Sequence, residues 1–137
     1  VIVLPWPDRR LSPNARAHWR AVAPVKKAAK ETAYILTKKA RVAVQPGLVP
    51  IRVTFNAPDL RLRDDDNCIG AFKYYRDGIA LALGIDDRVF RPSYHFGEPV
   101  KGGQVVVEIV EDLGARPFGE IAAGVVADIA KRMERAA

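Results

Sequence analysis

The sequence contains little cysteine and no long apolar run, and each absence excludes a class of protein. Its single cysteine, Cys68, excludes an intramolecular disulfide and a zinc site built from several cysteines. Every apolar stretch is interrupted by Lys, Arg or Gly well before the roughly 20 residues that a membrane-spanning helix needs. The first residues, Val1 to Asp8, lack the charged start and apolar core of a signal peptide. We therefore expect a soluble, cytoplasmic protein.

The size and charge of the chain further limit the classes of protein to which it can belong. The 137 residues fit one domain, because domains most often contain about 100–150 residues. The hydrophobic fraction of 49% and the charged fraction of 28% are ordinary for a globular chain and exclude extensive disorder. The net charge of +6 is unevenly distributed: residues 1–50 carry ten Lys and Arg against two acidic residues, whereas residues 51–112 carry eight against eleven. A basic first part favours a polyanionic partner such as nucleic acid.

Apolar periodicity predicts an α+β fold, with a mixed or antiparallel sheet, two main helices and a further helix near the C-terminus. Pro24 should start, kink or split the first helix, because proline lacks an amide donor. Gly84 is typical of a residue that ends a helix. The predicted elements, in chain order, are a strand over 1–6, a helix over 15–42, a strand over 49–57, a helix over 67–83, a hairpin of strands over 89–96 and 104–110, and a helix from Pro117.

The last predicted helix carries an apolar stripe at four-residue intervals, formed by Ile121, Val125, Ile129 and Met133. Such a stripe is typical of a packing surface, either within the monomer or in a dimer. We therefore divide the chain into a domain over 1–112 and a C-terminal helical extension over 113–137.

The densest chemical signal is the acidic run Asp64-Asp65-Asp66. In an extended segment alternate side chains face the same way, so Asp64 and Asp66 would converge while Asp65 turns aside. Two convergent carboxylates are a start on a magnesium site, because this hard ion takes oxygen ligands. The same run is also typical of a helix N-terminus, where negative charge is favourable.

The second predicted helix carries further polar residues on one side. At about 100° per residue, Asp66, Gly70, Lys73 and Asp77 form one polar stripe. Lys73 and Asp77 could equally be a surface ion pair. Gly70 is unfavourable within a helix, which indicates close approach by another backbone or by a ligand. The pair Asp86-Asp87 beyond the helix is either a plain turn or a third carboxylate, if the next strand pairs with the strand before Asp64.

Together these segments resemble the RusA-type Holliday junction resolvases, which are small, dimeric, magnesium-dependent endonucleases. The resemblance covers about residues 1–111. It is carried by the N-terminal Leu4-Pro5-Trp6-Pro7, the Ser12-Pro13-Asn14 and His18 region, Arg63-Asp64-Asp65-Asp66-Asn67, Lys73-Tyr74-Tyr75-Arg76-Asp77-Gly78, Gly84-Ile85-Asp86-Asp87 and Gly102-Gly103.

The resemblance implies a set of roles for residues of this chain. Asp64, Asp66 and Asp87 would be the catalytic carboxylates that bind Mg²⁺, or Mn²⁺ in its place. Lys73 would match the active-site lysine; some members place that lysine where this chain has Gly70, but Lys73 keeps the four-residue step to Asp77. Arg63 would contact a DNA phosphate. The residues that would support these catalytic groups are Asn67, Asp77 and Asp86.

The activity implied is that of a structure-selective DNA endonuclease, a phosphodiester hydrolase that resolves four-way junctions by paired nicks in DNA recombination and repair. Paired nicks need two active sites, which implies a homodimer. Junction phosphates would be neutralised by Arg16, Arg20, Lys26, Lys27, Lys30, Lys38 and Lys39.

Two other classes stay open. One is a noncatalytic nucleic-acid-binding protein whose acidic loop has no metal function. The other is a magnesium-dependent enzyme on nucleotides or sugar nucleotides, although no glycine-rich phosphate loop supports it. The isolated histidines, His18 and His95, and Cys68 are expected to be structural or surface residues.

Overall fold

The computed structural model describes residues 1–110, so the predicted C-terminal helix and the extension over 113–137 lie outside the described residues. Two helices pack on one face of a mixed four-stranded sheet, which confirms the α+β class. The elements are β1 (Ile2–Pro5), α1 (Trp19–Ala40), β2 (Val49–Asn56), α2 (Asp65–Leu83), β3 (Phe90–Phe96) and β4 (Gln104–Ile109), with single 3-10 turns at Arg9–Leu11 and Asp87–Val89.

Both helices begin and end at residues with clear capping geometry. His18 caps α1, since its Nδ1 accepts the Arg20 backbone N–H at 3.1 Å, and Arg41 ends the helix with a left-handed φ of 52°. Pro24 lies inside α1, so it neither starts nor divides the helix. Gly84 ends α2 in the left-handed conformation, with φ of 68°, as predicted.

The sheet order is β1-β4-β2-β3, and the predicted hairpin between the last two strands is wrong. β3 instead pairs in parallel with β2, with Val49 opposite Phe90, and α2 connects the two strands. The loop after β3 then crosses the end of β2, where Val100 N donates to the Ala57 carbonyl at 2.9 Å. β4 therefore enters on the other side of β2 and pairs antiparallel with both β1 and β2.

The core lies between the sheet and the two helices. Alternate residues of β2, namely Ile51, Val53 and Phe55, are at most 2% exposed. The Phe55 ring meets the edge of Phe72 from α2 at a centroid distance of 6.4 Å. The helices are in close contact at Gly78, where a Cβ atom would overlap the backbone of α1.

Strand direction determines where the loops gather. β1 and β2 both run antiparallel to β4, so they run in the same direction as each other and as β3. Their carboxyl ends consequently lie at one edge of the sheet. The chain leaves β1 there into the turn Arg9–Leu11, and leaves β2 there into residues 57–64 before α2. Ligand sites in sheets of this kind commonly lie outside the carboxyl ends of the strands.

Candidate functional site

An open cleft of about 890 Å³ lies at this carboxyl edge, between the turn after β1, the loop over residues 57–64 and the start of α2. Its apolar surface includes Trp6, Phe55 and Leu62. Its charged and polar surface is formed by Asp8, Arg9, Arg10, Asp59, Arg61, Arg63, Asp64 and Asn67. The cleft therefore combines aromatic and aliphatic surface with four cations and three carboxylates.

Arg63 is held in place by its own loop. Its Nη1 lies 2.9 Å from the Asp59 carboxylate and donates to the Arg61 carbonyl at 3.0 Å. This guanidinium holds the pKa of Asp59 below its ordinary value. The Arg63 Cζ atom also lies over the Trp6 ring, 5.5 Å from its centroid. Arg63 thus lines the cleft, and much of its donor capacity is already used within the chain; its contact with a DNA phosphate stays a prediction.

The other three arginines of the cleft differ in how they are paired. Arg10 Nη2 lies 2.8 Å from Asp8 Oδ2, and this hydrogen-bonded pair lowers the pKa of Asp8 to about 2. Within residues 1–110, the side chains of Arg9 and Arg61 form no ion pair. These two guanidinium groups are therefore the cations of the cleft that are available to an anionic ligand.

The acidic run begins α2. Asp64 caps the helix, because its Oδ1 accepts the Asp66 backbone N–H at 2.9 Å, and Asp65 and Asp66 form the first turn. The predicted convergence of Asp64 and Asp66 assumed an extended segment; this assumption is wrong, because helical backbone starts at Asp65. The helix-start alternative is the one observed. All three carboxylates are exposed, and Asp64 lines the cleft.

Asp66 and Lys73 lie on the solvent side of α2. At about 100° per residue, Asp66 is some 100–140° around the axis from Asn67 and Ala71, which line the cleft. Lys73 shares the exposed side with Asp66, about 10 Å further along the axis. It forms no ion pair with Asp77, which is half-buried. The structure thus places Lys73 and Asp66 on one face, with Asp64 nearer the cleft.

A close approach does occur at Gly70, but it is made by the side chain of Pro13 and not by the backbone or ligand that was expected. A Cβ atom at Gly70 would overlap the ring of Pro13, with Cδ at 2.8 Å. This residue therefore lets the segment before α1 pack on α2.

Asp87 does not join Asp64 and Asp66 within one chain. β3 does pair with the strand that precedes Asp64, but the pairing is parallel, which brings Phe90 next to Val49 at the amino end of β2. α2 has 19 residues, and at 1.5 Å per residue it separates its two ends by about 27 Å. The predicted cluster of three carboxylates is therefore corrected to a pair at one end of α2 and a single residue at the other.

Asp86 and Asp87 have arginine partners at the turn between α2 and β3. Asp86 accepts the Arg88 backbone N–H and pairs with Arg88 Nη2 at 2.7 Å, which holds the pKa of Asp86 well below its ordinary value. Arg76 Nη2 donates to the Asp87 carbonyl at 2.9 Å, and Arg76 Nε lies 4.0 Å from Asp87 Oδ2. These contacts favour the plain-turn interpretation of the pair.

Apart from Arg63, the basic residues predicted to bind DNA lie just before α1 or along it. Lys26 reaches α2, since its Nζ is 5.3 Å from the centroid of the Tyr74 ring. Arg20 stacks on its neighbour Trp19, at 5.4 Å from the ring centroid. All the predicted cations of this region are exposed: Arg16, Arg20, Lys26, Lys27, Lys30, Lys38 and Lys39.

The remaining singled-out residues have structural or surface positions. His18 caps α1, and the exposed His95 lies 3.2 Å from the Ser93 hydroxyl through its Nε2. Cys68 is buried in the wall of the cleft, and this burial raises the pKa of its thiol.

Several residues of the cleft were missed by sequence reasoning. Trp6 and Arg9 follow β1, whereas Asp59 and Arg61 follow β2, so they are distant in sequence and adjacent only through the sheet. The available signal was the strand–helix–strand order, which is typical of parallel pairing and places such loops at one edge.

The carboxylates near the cleft limit the kind of magnesium site that they could form. Within residues 1–110, no three His, Cys, Asp or Glu side chains are grouped so that they could hold one metal. Mg²⁺ commonly uses one or two carboxylates together with waters and a substrate phosphate. Asp64 and Asp66 are the carboxylates that could serve such a site, and residues 1–110 form no three-carboxylate cage. None of the helices over the same residues is long and apolar enough to cross a membrane.

Comparison with known proteins places the chain among its relatives. No established protein-family profile matches it. An uncharacterized protein of Xylella fastidiosa is 41% identical over 114 residues, a match that spans 79% of this chain and 74% of the Xylella protein. The chain belongs to the same protein family as this Xylella fastidiosa protein.

Proposed function

We propose that the protein is a magnesium-dependent, structure-selective DNA endonuclease of the RusA type, which resolves four-way junctions by paired nicks. The observation that carries the proposal is the position of the motif Arg63–Asn67, whose three exposed aspartates start α2 beside an arginine-lined cleft. The exposed cations at the start of α1 add a surface for DNA phosphates.

The residues at the start of α2 divide the work of phosphodiester hydrolysis. Asp64 and Asp66 would hold the ion, which supplies a Lewis acid and an activated water when bound. The cap contact to the Asp66 N–H fixes one Asp64 oxygen and leaves the other for a ligand. Lys73 offers its ammonium group to a DNA phosphate on the same face of the helix. Asn67, in the wall of the cleft, is placed to orient the strand.

Asp87 enters this proposal only through a second copy of the chain. It lies at the far end of α2, so it can approach Asp64 and Asp66 only if a partner in a homodimer presents it. Two strands of a junction related by twofold symmetry require two such sites, which a homodimer supplies.

The test of the activity is incubation with a labelled synthetic four-way junction in Mg²⁺, in Mn²⁺ and in EDTA. We expect paired, symmetric nicks with either metal and none in EDTA. Folded protein that binds the junction and leaves it uncut in both metals overturns the proposal.

Subunit mixing tests the role of Asp87. Asp66→Asn and Asp87→Asn should each abolish cutting. If the site is shared between two copies, an equilibrated mixture of the two variants regains activity, since half of the dimers are mixed and each mixed dimer holds one intact site. A mixture that stays inactive, although subunit exchange is shown with tagged chains, removes Asp87 from the shared site.

A noncatalytic nucleic-acid-binding protein is the second candidate. The arginine partners of Asp86 and Asp87, at the opposite end of α2 from Asp64, favour it. Metal-independent binding without cleavage in the junction experiment supports this candidate.

A further inference from the structure

The cleft at the carboxyl edge of the sheet has the features of a binding site for a single strand. We infer that it takes an unpaired stretch of nucleic acid, with phosphates on Arg9 and Arg61 and bases against Trp6 and Leu62. This inference rests on the proposed function and deepens it, because it assigns the unpaired part of the substrate to particular residues.

Trp6 offers an aromatic surface that is already fixed. Its ring packs against Phe55 in an edge geometry with centroids 6.4 Å apart. A Cβ atom at Gly103 would lie 2.8 Å from Trp6 Cβ, so this glycine allows the β4 end to close on the indole. The indole is half-buried, and Arg63 stacks on it. An aromatic group fixed before binding stacks on a base without a large loss of side-chain freedom.

Leu62 adds apolar surface that the fold itself does not use. It lines the cleft and is 97% exposed, and Leu60 on the same loop is 87% exposed. The two leucines alternate with Arg61 and Arg63 along the loop. Apolar side chains inserted beside cations are a recurrent means of holding bases apart from their stack. The loop therefore offers apolar surface to a base that has left its stack.

The charges of the cleft match a strand's backbone. Arg10 and Arg63 are engaged by Asp8 and Asp59, which leaves Arg9 and Arg61 as cations without a carboxylate partner among residues 1–110. They belong to different loops on the two sides of the cleft. A volume of about 890 Å³ is within the range of roughly 300–1,000 Å³ for sites that enclose small ligands, so it suits one or two nucleotides.

The test uses tryptophan fluorescence in EDTA, where no cutting occurs. The chain has two tryptophans, so a Trp19→Phe background leaves Trp6 as the only reporter. An oligothymidylate of about eight nucleotides should quench Trp6 saturably. Arg9→Ala with Arg61→Ala should lower the slope of log affinity on log salt by about 1.4, since each single-strand phosphate contact contributes ~0.7. Leu62→Ser, at an exposed position, should weaken binding about tenfold.

A matched control removes the same charge elsewhere. Arg52→Ala with Arg91→Ala removes two exposed cations from the amino halves of β2 and β3, whereas the cleft lies at the carboxyl edge of the sheet. The Trp6 signal and the salt slope should stay unchanged. If the two double variants lose the same strand affinity and the same salt slope, only net charge matters, and the inference is overturned.

Two further outcomes also overturn it. If thymidine monophosphate at the same nucleotide concentration quenches Trp6 as tightly as the oligomer, the cleft takes mononucleotides and not a strand. If a blunt duplex binds equally well with the same quenching, the unpaired strand is not the preferred ligand. The fluorescence measurement needs no cutting, so the two proposals can fail separately. Strand binding without junction cleavage retains this inference and removes the endonuclease proposal. Junction cleavage without a change in Trp6 fluorescence retains the endonuclease proposal and removes this inference.

Discussion

Gly78 is a position where the packing of the two helices leaves no room for a single methyl group. A Cβ atom there would overlap the Lys30 carbonyl oxygen and lie 2.9 Å from Ala33 Cβ. Helix propensity alone predicts that Gly78→Ala stabilises α2 by about 1 kcal/mol. Overpacking a well-packed interior typically costs ~1–3 kcal/mol, and a backbone carbonyl can yield only if α1 shifts as a whole. From the middle of that range, less the gain in helix propensity, we expect a net loss of about 1 kcal/mol.

Gly70→Ala is the matched control on the same helix. Its new methyl group would meet the ring of Pro13, an exposed residue outside the helices and the sheet, which we expect to yield more easily than the backbone of α1. Clash and helix propensity should nearly cancel, leaving stability within about 0.5 kcal/mol of the wild type.

Urea unfolding followed by far-ultraviolet circular dichroism measures both variants. Gly78→Ala should lower the midpoint without changing the slope, and in thermal melts it should lower Tm by about 4–8 °C per kcal/mol. A Gly78→Ala protein as stable as the wild type, or no less stable than Gly70→Ala, refutes the account of how the helices meet.

Three further predictions concern single side chains. Asp64→Asn should keep the α2 cap and stability but abolish cutting, whereas Asp64→Ala should also lose about 1 kcal/mol in urea unfolding; equal stability of the two variants contradicts the cap. Because the Asp8–Arg10 pair lowers the pKa of Asp8 from 3.8 to about 2, its contribution is present above pH 4 and lost as pH falls towards 2. Because the pair is partly exposed, the free energy of unfolding of the wild type should exceed that of Asp8→Asn by no more than about 1 kcal/mol. A difference in unfolding free energy that persists below pH 2 refutes the pairing. Tyr75→Phe should cost about 1 kcal/mol in urea unfolding, since the buried Tyr75 hydroxyl donates to the Pro5 carbonyl at 2.8 Å; an unchanged midpoint means that this bond contributes nothing.

The elements of the fold could be predicted from local pattern because each has a strong periodic signal. β2 alternates buried and exposed residues, and Gly84 ends α2, as the sequence indicates. α2 starts earlier than predicted, since Asp64 is a cap and its acidic neighbours suit the first turn. The order of strands could not be predicted in the same way. Pro99, Gly102 and Gly103 indicate a turn but do not specify which side of β2 the chain reaches next.

The candidate site was predictable only in part, for the same reason. Asp64 and Arg63 are adjacent in sequence, and the structure places both in the cleft. Trp6 and Arg9 come from another loop and reach the cleft only because β1 and β2 end at the same edge. Asp87 was expected beside Asp64 on the condition that the flanking strands pair; they do pair, but in parallel, which puts Asp87 at the opposite edge of the sheet.

Cleavage by charge-neutral variants at the start of α2 tests the central claim most directly. The measurement is the single-turnover nicking rate of a labelled four-way junction in Mg²⁺, with junction affinity measured in parallel. Asp66→Asn should bind like the wild type and cut at least ~100-fold more slowly, because a group that stabilises the transition state is lost. Asp65→Asn removes the same charge from the same helical turn and should cut normally. Unchanged cutting by Asp66→Asn, or equal losses in both variants, would contradict the account.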